Sequence, residues 1–278
     1  MKCEIIAVGT EILLGDIVNT NAQFLSQELA RLGFSVMHQS VVGDNEERLA
    51  QELKTALSRS DIVITSGGLG PTPDDLTKEV TAKVMGVELM QDKESAEKIV
   101  NYFKSKNREM PEANYKQAML PSKADGIILS NDNGTAPGCI FIKGDKIVVN
   151  LPGPPRELKP MFTDKLLPFL KKYADSIIIS HSVRLYGIGE SSMASKVDDL
   201  LEKSNPTVAP YAKDGEALLR VTAKGKDEQE AEQLTKPVVD EILNRFGDLV
   251  YGIDCESLQE RVVALLIEKG KKLGLAES

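Results

Sequence analysis

The chain has 278 residues, 41% hydrophobic and 27% charged, with a net charge of −8. It can bury one large core or two modest ones, since domains run ~100 to 200 residues, so a single small module is excluded. No segment reaches the roughly 20 uninterrupted apolar residues of a membrane-spanning helix, and the acidic balance opposes an extended nucleic-acid surface. Ile5-Ile6-Ala7-Val8, between Glu4 and Glu11, is too short and too acidic for the apolar core of a secretory signal, so the cytoplasm is the expected location. Cys3, Cys139 and Cys255 are widely separated and odd in number, fit neither a disulfide framework nor a metal knuckle, and read as buried thiols. The two histidines, His38 and His181, fall inside expected strands and read as structural. With imidazole so scarce, carboxylates, hydroxyls, lysine, arginine and backbone amides remain for chemistry, and these suit hard cations and phosphates.

In chain order, Cys3 to Val8 reads as a buried strand. Asn21 to Leu32 reads as a helix closed by Gly33, Phe34 to Val42 as a strand, Glu46 to Leu57 as a helix, and Asp61 to Thr65 as a third strand. This alternation implies parallel crossovers in one sheet with helices on both faces, an α/β/α arrangement whose ligands sit beyond the carboxyl ends of the strands. A helix is expected from about Leu76, with helical segments near Ser95 to Phe103 and Asn114 to Met119. A hairpin over Cys139 to Asn150 turns at Gly144-Asp145, and a further helix ends near Leu170. A first domain over residues 1–170 results. A small α+β unit over residues 175–254 follows, with strands at Ile177 to Leu185 and Leu249 to Tyr251, helices at Ser191 to Leu201 and Gln229 to Arg245, and a hairpin around Asp214-Gly215. Residues 255–278 contain a final amphipathic helix, Ser257 to Lys269, and then Leu273-Gly274-Leu275-Ala276-Glu277-Ser278.

The glycine-rich run Ser66-Gly67-Gly68-Leu69-Gly70-Pro71 lies between a strand and a helix, where consecutive backbone N–H groups and the helix N-terminus can receive an anion. It lacks the lysine and hydroxyl of a P-loop and the spacing of a dinucleotide fingerprint; its plain alternative is a tight turn. Asp74 and Asp75 follow at once. One carboxylate there is ordinarily a helix cap, but two beside an anion nest repel a phosphate unless a divalent cation bridges them. Asp44, after the second strand, and Glu11 and Asp16, after the first, lie at the same sheet edge. Three further turns combine backbone freedom with small polar side chains: Gly9-Thr10-Glu11 with Asn19-Thr20-Asn21, then Asn133-Gly134-Thr135-Ala136-Pro137-Gly138, then Leu151-Pro152-Gly153-Pro154-Pro155-Arg156-Glu157.

These runs, with the glycine segment continuing to Thr77, make the whole chain resemble the CinA family, the competence/damage-inducible proteins. The resemblance implies a first domain with the molybdopterin-binding fold of MogA and MoaB, whose glycine loop cradles a ligand phosphate and in which aspartates matching Asp44 and Asp75 are functional. It implies a KH-like second domain, and metal-dependent hydrolysis of ADP-ribose to AMP and ribose 5-phosphate in pyridine nucleotide salvage. The expected cofactor is Mg, Mn or Co, held by Asp75 and Asp44, with Glu11 as a further catalytic candidate. Gly9, Thr10, Asn19, Asn21, Ser66, Gly67, Gly68, Gly70, Pro71, Thr77, Asn133, Gly134, Pro137, Gly138, Pro152, Gly153, Arg156 and Glu157 are the expected substrate contacts.

A homodimer is expected in the family's manner. The alternatives are a pterin- or nucleotide-binding or adenylyltransferase-like protein, or a non-enzymatic competence module. The family's nicotinamide mononucleotide amidase begins Ala-Glu-Ser-Cys-Thr-Gly-Gly. Ser278 matches its nucleophile, but the sequence stops there at Ala276-Glu277-Ser278, so residues 255–278 resemble only the start of that domain and no amidase activity is expected. RNA binding by the KH-like unit is opposed by 9 basic against 15 acidic residues and by Gly187-Ile188-Gly189, which has the wrong spacing for a nucleotide-clamping Gly-x-x-Gly loop.

Overall fold

The computed structural model describes residues 1–174, 176–213, 216–255 and 257–276. The turn expected at Asp214-Gly215 and the Ser278 match lie outside the described residues. The chain divides into two compact units after Ala174.

In the first unit, β1 (Lys2–Val8), α1 (Thr10–Leu14), α2 (Thr20–Arg31), β2 (Ser35–Val42), α3 (Glu46–Arg59) and β3 (Ile62–Ser66) follow the expected alternation closely. Next come α4 (Thr77–Met85), β4 (Leu89–Gln91), α5 (Lys93–Ser105), a 3-10 turn (Glu112–Ala118), β5 (Met119–Pro121) and β6 (Gly126–Leu129). The unit ends with β7 (Gly138–Lys143), β8 (Lys146–Leu151), α6 (Pro155–Met161) and α7 (Leu167–Leu170). Six strands form one sheet in the order β2-β1-β3-β8-β7-β6, while β4 and β5 pair separately. The pairs β1·β2, β1·β3 and β3·β8 are parallel, and β7 runs antiparallel to both neighbours.

Side-chain alternation along the central strands divides the apolar residues between two layers. Ile5, Ile62, Ile64, Ile147 and Val149 pack with Leu25 and Leu29 of α2 and with Leu158 and Phe162 after β8. Ile6, Val63, Val148 and Phe141 pack on the other face with Leu49 and Leu53 of α3 and Val80 of α4. The expected α/β/α layering is therefore observed. Strands β4, β5 and β6 carry no periodic signal because they are only three or four residues long. The segment expected as one helix over Asn114 to Met119 is a 3-10 turn leading into β5. The helix expected to reach Leu170 does so through a π turn at Phe162–Leu166, just before Pro168, which has no N–H to continue the ladder.

Cys3 and Cys139 are buried, and burial pushes both thiols up to about 12, so they are unreactive. Cys255 is only half-buried, which corrects the expectation for it. His38 is exposed on β2. No helix among the described residues is long and apolar enough to cross a membrane.

The second unit comprises β9 (Ile177–Tyr186), α8 (Glu190–Lys196), α9 (Asp198–Leu201), β10 (Thr207–Lys213), β11 (Glu216–Gly225), α10 (Glu228–Phe246), β12 (Val250–Ile253) and α11 (Leu258–Glu268). Its sheet is antiparallel throughout, in the order β10-β11-β9-β12. Val183, Leu185, Leu219 and Val221 pack against Met193, Leu200, Val239, Ile242 and Phe246 of the helices. The single helix expected over Ser191 to Leu201 is broken at Val197, whose φ of −127° and ψ of 18° leave the helical region.

His181, two residues before Val183 on β9, has Nδ1 2.7 Å from Asp254 Oδ2 and Nε2 3.1 Å from Glu232 Oε2. Partial burial pulls its pKa down, but the hydrogen bonds to Asp254 and Glu232 outweigh it and the net direction is up. A raised folded-state pKa stabilises the fold fully below the unfolded value, about 6.5, and this contribution is lost as pH rises through the folded value. The melting-temperature advantage of the wild type over His181→Gln should therefore be largest below about pH 6.5 and shrink above it. A pH-independent difference in parallel thermal melts would show that imidazolium charge plays no part.

Candidate functional site

The carboxyl ends of β1, β2, β3 and β8 face one crevice. Because β1 is flanked by β2 on one side and β3 on the other, this is where successive connections leave in opposite directions and where parallel sheets bind ligands. A cavity of about 580 Å³ occupies it. Of the sequence-predicted residues, Gly9, Glu11, Asn19, Asn21, Asp44, Ser66, Gly67, Gly68, Gly70, Pro71, Asp75, Pro152, Gly153 and Glu157 line it, joined by Asp74, Thr135 and Gln117.

Each wall is fixed by local bonding. Asn19 Oδ1 caps α2 by accepting from the Ala22 amide at 3.0 Å, which sets the entry angle of Asn21. Asn21 Nδ2 then donates to Ser66 Oγ at 2.9 Å and to the Gly153 carbonyl at 2.6 Å, tying α2 to the loops after β3 and β8. The carbonyl acceptor fixes the amide's orientation, and the opposite atom, Asn21 Oδ1, is buried without a partner among the described residues. Thr10 does not line the cavity. Its amide and hydroxyl donate to Asp44 Oδ2 at 2.9 and 2.8 Å and hold that carboxylate at the rim.

The glycine loop is narrower as an anion nest than its sequence suggests. Gly67 has already donated its N–H to the Leu151 carbonyl at 3.0 Å. The amides of Gly68, Leu69 and Gly70 donate to no group among the described residues, so these three are the ones able to receive an anion. Thr77 is buried beneath them: its hydroxyl donates to the Gly67 carbonyl at 2.9 Å and its amide to the Gly68 carbonyl at 3.1 Å. Asp75 Oδ2 accepts from the Thr72 amide at 2.9 Å and from the Thr72 hydroxyl, while Asp75 N donates back to the Thr72 carbonyl at 3.1 Å.

One lysine braces this loop and a second holds the segment that carries the first, without any sign in the linear pattern. Lys116 Nζ donates to the carbonyls of Thr72 (2.9 Å) and Asp75 (2.5 Å). Lys78 is 2% exposed, and its Nζ donates to the carbonyls of Lys116, Gln117 and Met119 at 3.1, 2.9 and 3.1 Å. Burial pushes the Lys78 ammonium below its ordinary pKa, and the three carbonyls are the dipoles that accommodate it. Gln117 Nε2 reaches the Leu69 carbonyl at 3.4 Å. Each of these partners is about 40 or more residues away, too far for any periodicity to register.

The remaining candidates lie apart. Arg156 is 79% exposed at the side chain, with Nε 3.8 Å from Glu157. Gly134 and Pro137 line a separate cavity, Asn133 a minor hollow beside it, and Gly138 is buried inside β7.

For a metal, the donor set is specific in what it can hold. No group of three His, Cys, Asp or Glu side chains among the described residues could enclose an ion. Asp44 and Asp75 each have one oxygen engaged by a threonine and the other unengaged. This fits a hard cation such as magnesium, which is ordinarily held by one or two carboxylates and completed by phosphate oxygens and water.

At Gly68 the backbone is held against a neighbouring side chain, whereas at Gly67 an added Cβ would meet the Val8 carbonyl. The φ of Gly68 is +65°, and an added Cβ there would lie 2.2 Å from Thr77 Oγ1. Gly68→Ala should cost about 2 to 4 kcal/mol from clash and backbone strain together. In a Thr77→Ala background, which removes the clashing atom, the added cost should fall to about 1 kcal/mol. Urea denaturation of the four proteins checks this, and an unchanged cost in the double variant would refute the clash.

Residues 4–172 match the family described as "Probable molybdopterin binding domain", and residues 180–252 the "Damage-inducible protein CinA KH domain". A "Putative competence-damage inducible protein" of Clostridium beijerinckii is 52% identical over 279 residues, covering 100% of this chain and 68% of that protein. A "CinA-like protein" of Dictyoglomus turgidum is 50% identical, covering 100% of this chain and 67% of its own length. Among solved structures, the protein CinA of Thermoplasma acidophilum, described as of unknown function, is 35% identical with a TM-score of 0.54, over 63% of this chain and 99% of that one. Both domains and both full-length relatives thus point the same way: the chain belongs to the CinA family, with a molybdopterin-binding-type first domain and a KH-type second.

Proposed function

We propose that the first domain is a metal-dependent hydrolase that cleaves ADP-ribose to AMP and ribose 5-phosphate, serving pyridine nucleotide salvage. The observation that carries this reading is the meeting, in one cavity, of unengaged amides at Gly68 to Gly70 with the carboxylates of Asp44, Asp75 and Glu11. Amides alone would bind any phosphate and carboxylates alone would repel it; a diphosphate accompanied by a divalent cation satisfies both.

In this reading the amides of Gly68, Leu69 and Gly70 hold one phosphate of the diphosphate bridge. Asp75 and Asp44 would hold Mg, Mn or Co through the oxygens that their threonine partners leave unengaged. When bound, the cation neutralises the diphosphate and polarises the phosphorus centre. The wall from Asn19 to Asn21 meets the hydroxyls of the terminal ribose, the one remote from the adenine. Glu11 takes the proton of the water that attacks phosphorus, the bridging P–O bond breaks, and two phosphomonoesters leave. Lys116 acts at one remove, by keeping the Thr72–Asp75 turn in place.

Purified protein incubated with ADP-ribose should release AMP and ribose 5-phosphate only with added divalent cation. Binding without cleavage would instead favour the pterin- or nucleotide-binding alternative. Asp75→Asn keeps the size and an acceptor for Thr72 while removing the charge. Its turnover should fall at least about a hundredfold with little change in melting temperature; unchanged turnover at saturating cation would make the ligand role of Asp75 untenable.

A further inference from the structure

We propose that a second cavity, separated from the first by the loop of residues 131–137, receives the adenosine end of the substrate. This rests on the hydrolase reading above and specifies where one half of that substrate goes.

The second cavity, of about 270 Å³, lies between α5 and this loop. Thr135 lines both cavities, so the two lie on either side of a single residue. The partition is held by Asn131, whose Nδ2 donates to the Ala136 carbonyl at 2.9 Å and to Glu157 Oε2 at 2.8 Å, Glu157 itself belonging to the first cavity. At Gly134 an added Cβ would lie 2.2 Å from Glu157 Oε2, so the loop can close on this carboxylate only with glycine there.

The volume is below the ~300 to 1,000 Å³ of sites that enclose a whole small ligand, which suits one portion of a larger molecule. Its walls include the half-buried Tyr102 ring with Ile99 and Pro137, an aromatic and aliphatic surface on which a heterocycle can stack. Phosphate is disfavoured: the cation present, Lys98, is already 2.8 Å from Glu94, and the Asp132 carboxylate opposes an anion. Asp132 Oδ2 also lies 3.3 Å from Lys165 Nζ, and its carboxylate retains acceptor capacity for the vicinal hydroxyls of a ribose. A base on Tyr102 and a ribose diol at Asp132 place the diphosphate across Thr135, toward the Gly68 to Gly70 amides.

The test is calorimetric titration of the full chain with AMP, 2′,3′-dideoxy-AMP and ribose 5-phosphate, alongside ADP-ribose turnover and melts. Tyr102→Ala should weaken AMP about tenfold and leave ribose 5-phosphate unchanged. Tyr102 packs edge-on against Phe103 at 6.1 Å, so truncation can affect folding; Asp132→Asn is the surface control, and should weaken AMP but not the dideoxy analogue. Wild-type AMP affinity in both variants, with turnover intact, overturns the subsite and leaves the hydrolase reading standing. Tyr102-dependent AMP binding by a protein that does not cleave ADP-ribose upholds the subsite and removes only the hydrolase reading. No AMP binding and no cleavage overturns both.

Discussion

The side-chain amide of Asn21 is the joint on which the candidate site depends. One nitrogen bonds Ser66 at the end of β3 and Gly153 after β8, and the residue itself stands at the entry of α2, so three separate connections are held in register by one group. The Asn19 cap and the burial of Ala22 and Leu25 fix the helix that presents it. Interior polar groups normally find partners, because an unmade bond to one costs about 1 to 3 kcal/mol. Asn21 Oδ1 has none among the described residues, so the joint is made entirely through the amide nitrogen.

A second constraint is the closeness of carboxylates to bare main chain. Added Cβ atoms at Gly9, Gly70 and Gly134 would lie 2.7, 2.3 and 2.2 Å from oxygens of Glu11, Asp75 and Glu157 respectively. The glycines of these loops therefore do more than free amides for an anion: they leave the space in which acidic side chains fold back to the cavity. Thr10, Thr72 and Asn131 then hold Asp44, Asp75 and Glu157 by hydrogen bonds, and Lys116 braces the acidic turn from its carbonyl side. Anion-receiving amides and acidic side chains coexist because each is fixed by neutral partners that leave part of its bonding capacity unused.

Much of the fold was legible in the residues. The alternation of strands and helices through Thr65, and the Gly144-Asp145 hairpin, follow from apolar period and turn chemistry, which are local properties. The short strands β4 to β6 were not legible, since three or four residues cannot display a period and their pairing is decided by neighbours. The break at Val197 was likewise silent, because apolar residues at helical spacing continue across it.

For the site, the sequence by itself determined which turns carry the chemistry: glycines, small polar side chains and paired aspartates at the carboxyl ends of strands are recognisable wherever they occur. Tertiary structure decided how these turns are used. It committed the Gly67 amide to Leu151, gave Thr10 and Thr77 supporting positions, and divided the loop from Asn133 to Gly138 between two cavities and a strand. It also brought Lys116 and Gln117 beneath a loop some 40 residues earlier in the chain, and set Lys78 against the main chain of that later segment. The physical reason is that a residue's type reveals which bonds it can make, whereas the partner that takes each bond is fixed only when distant strands are laid side by side.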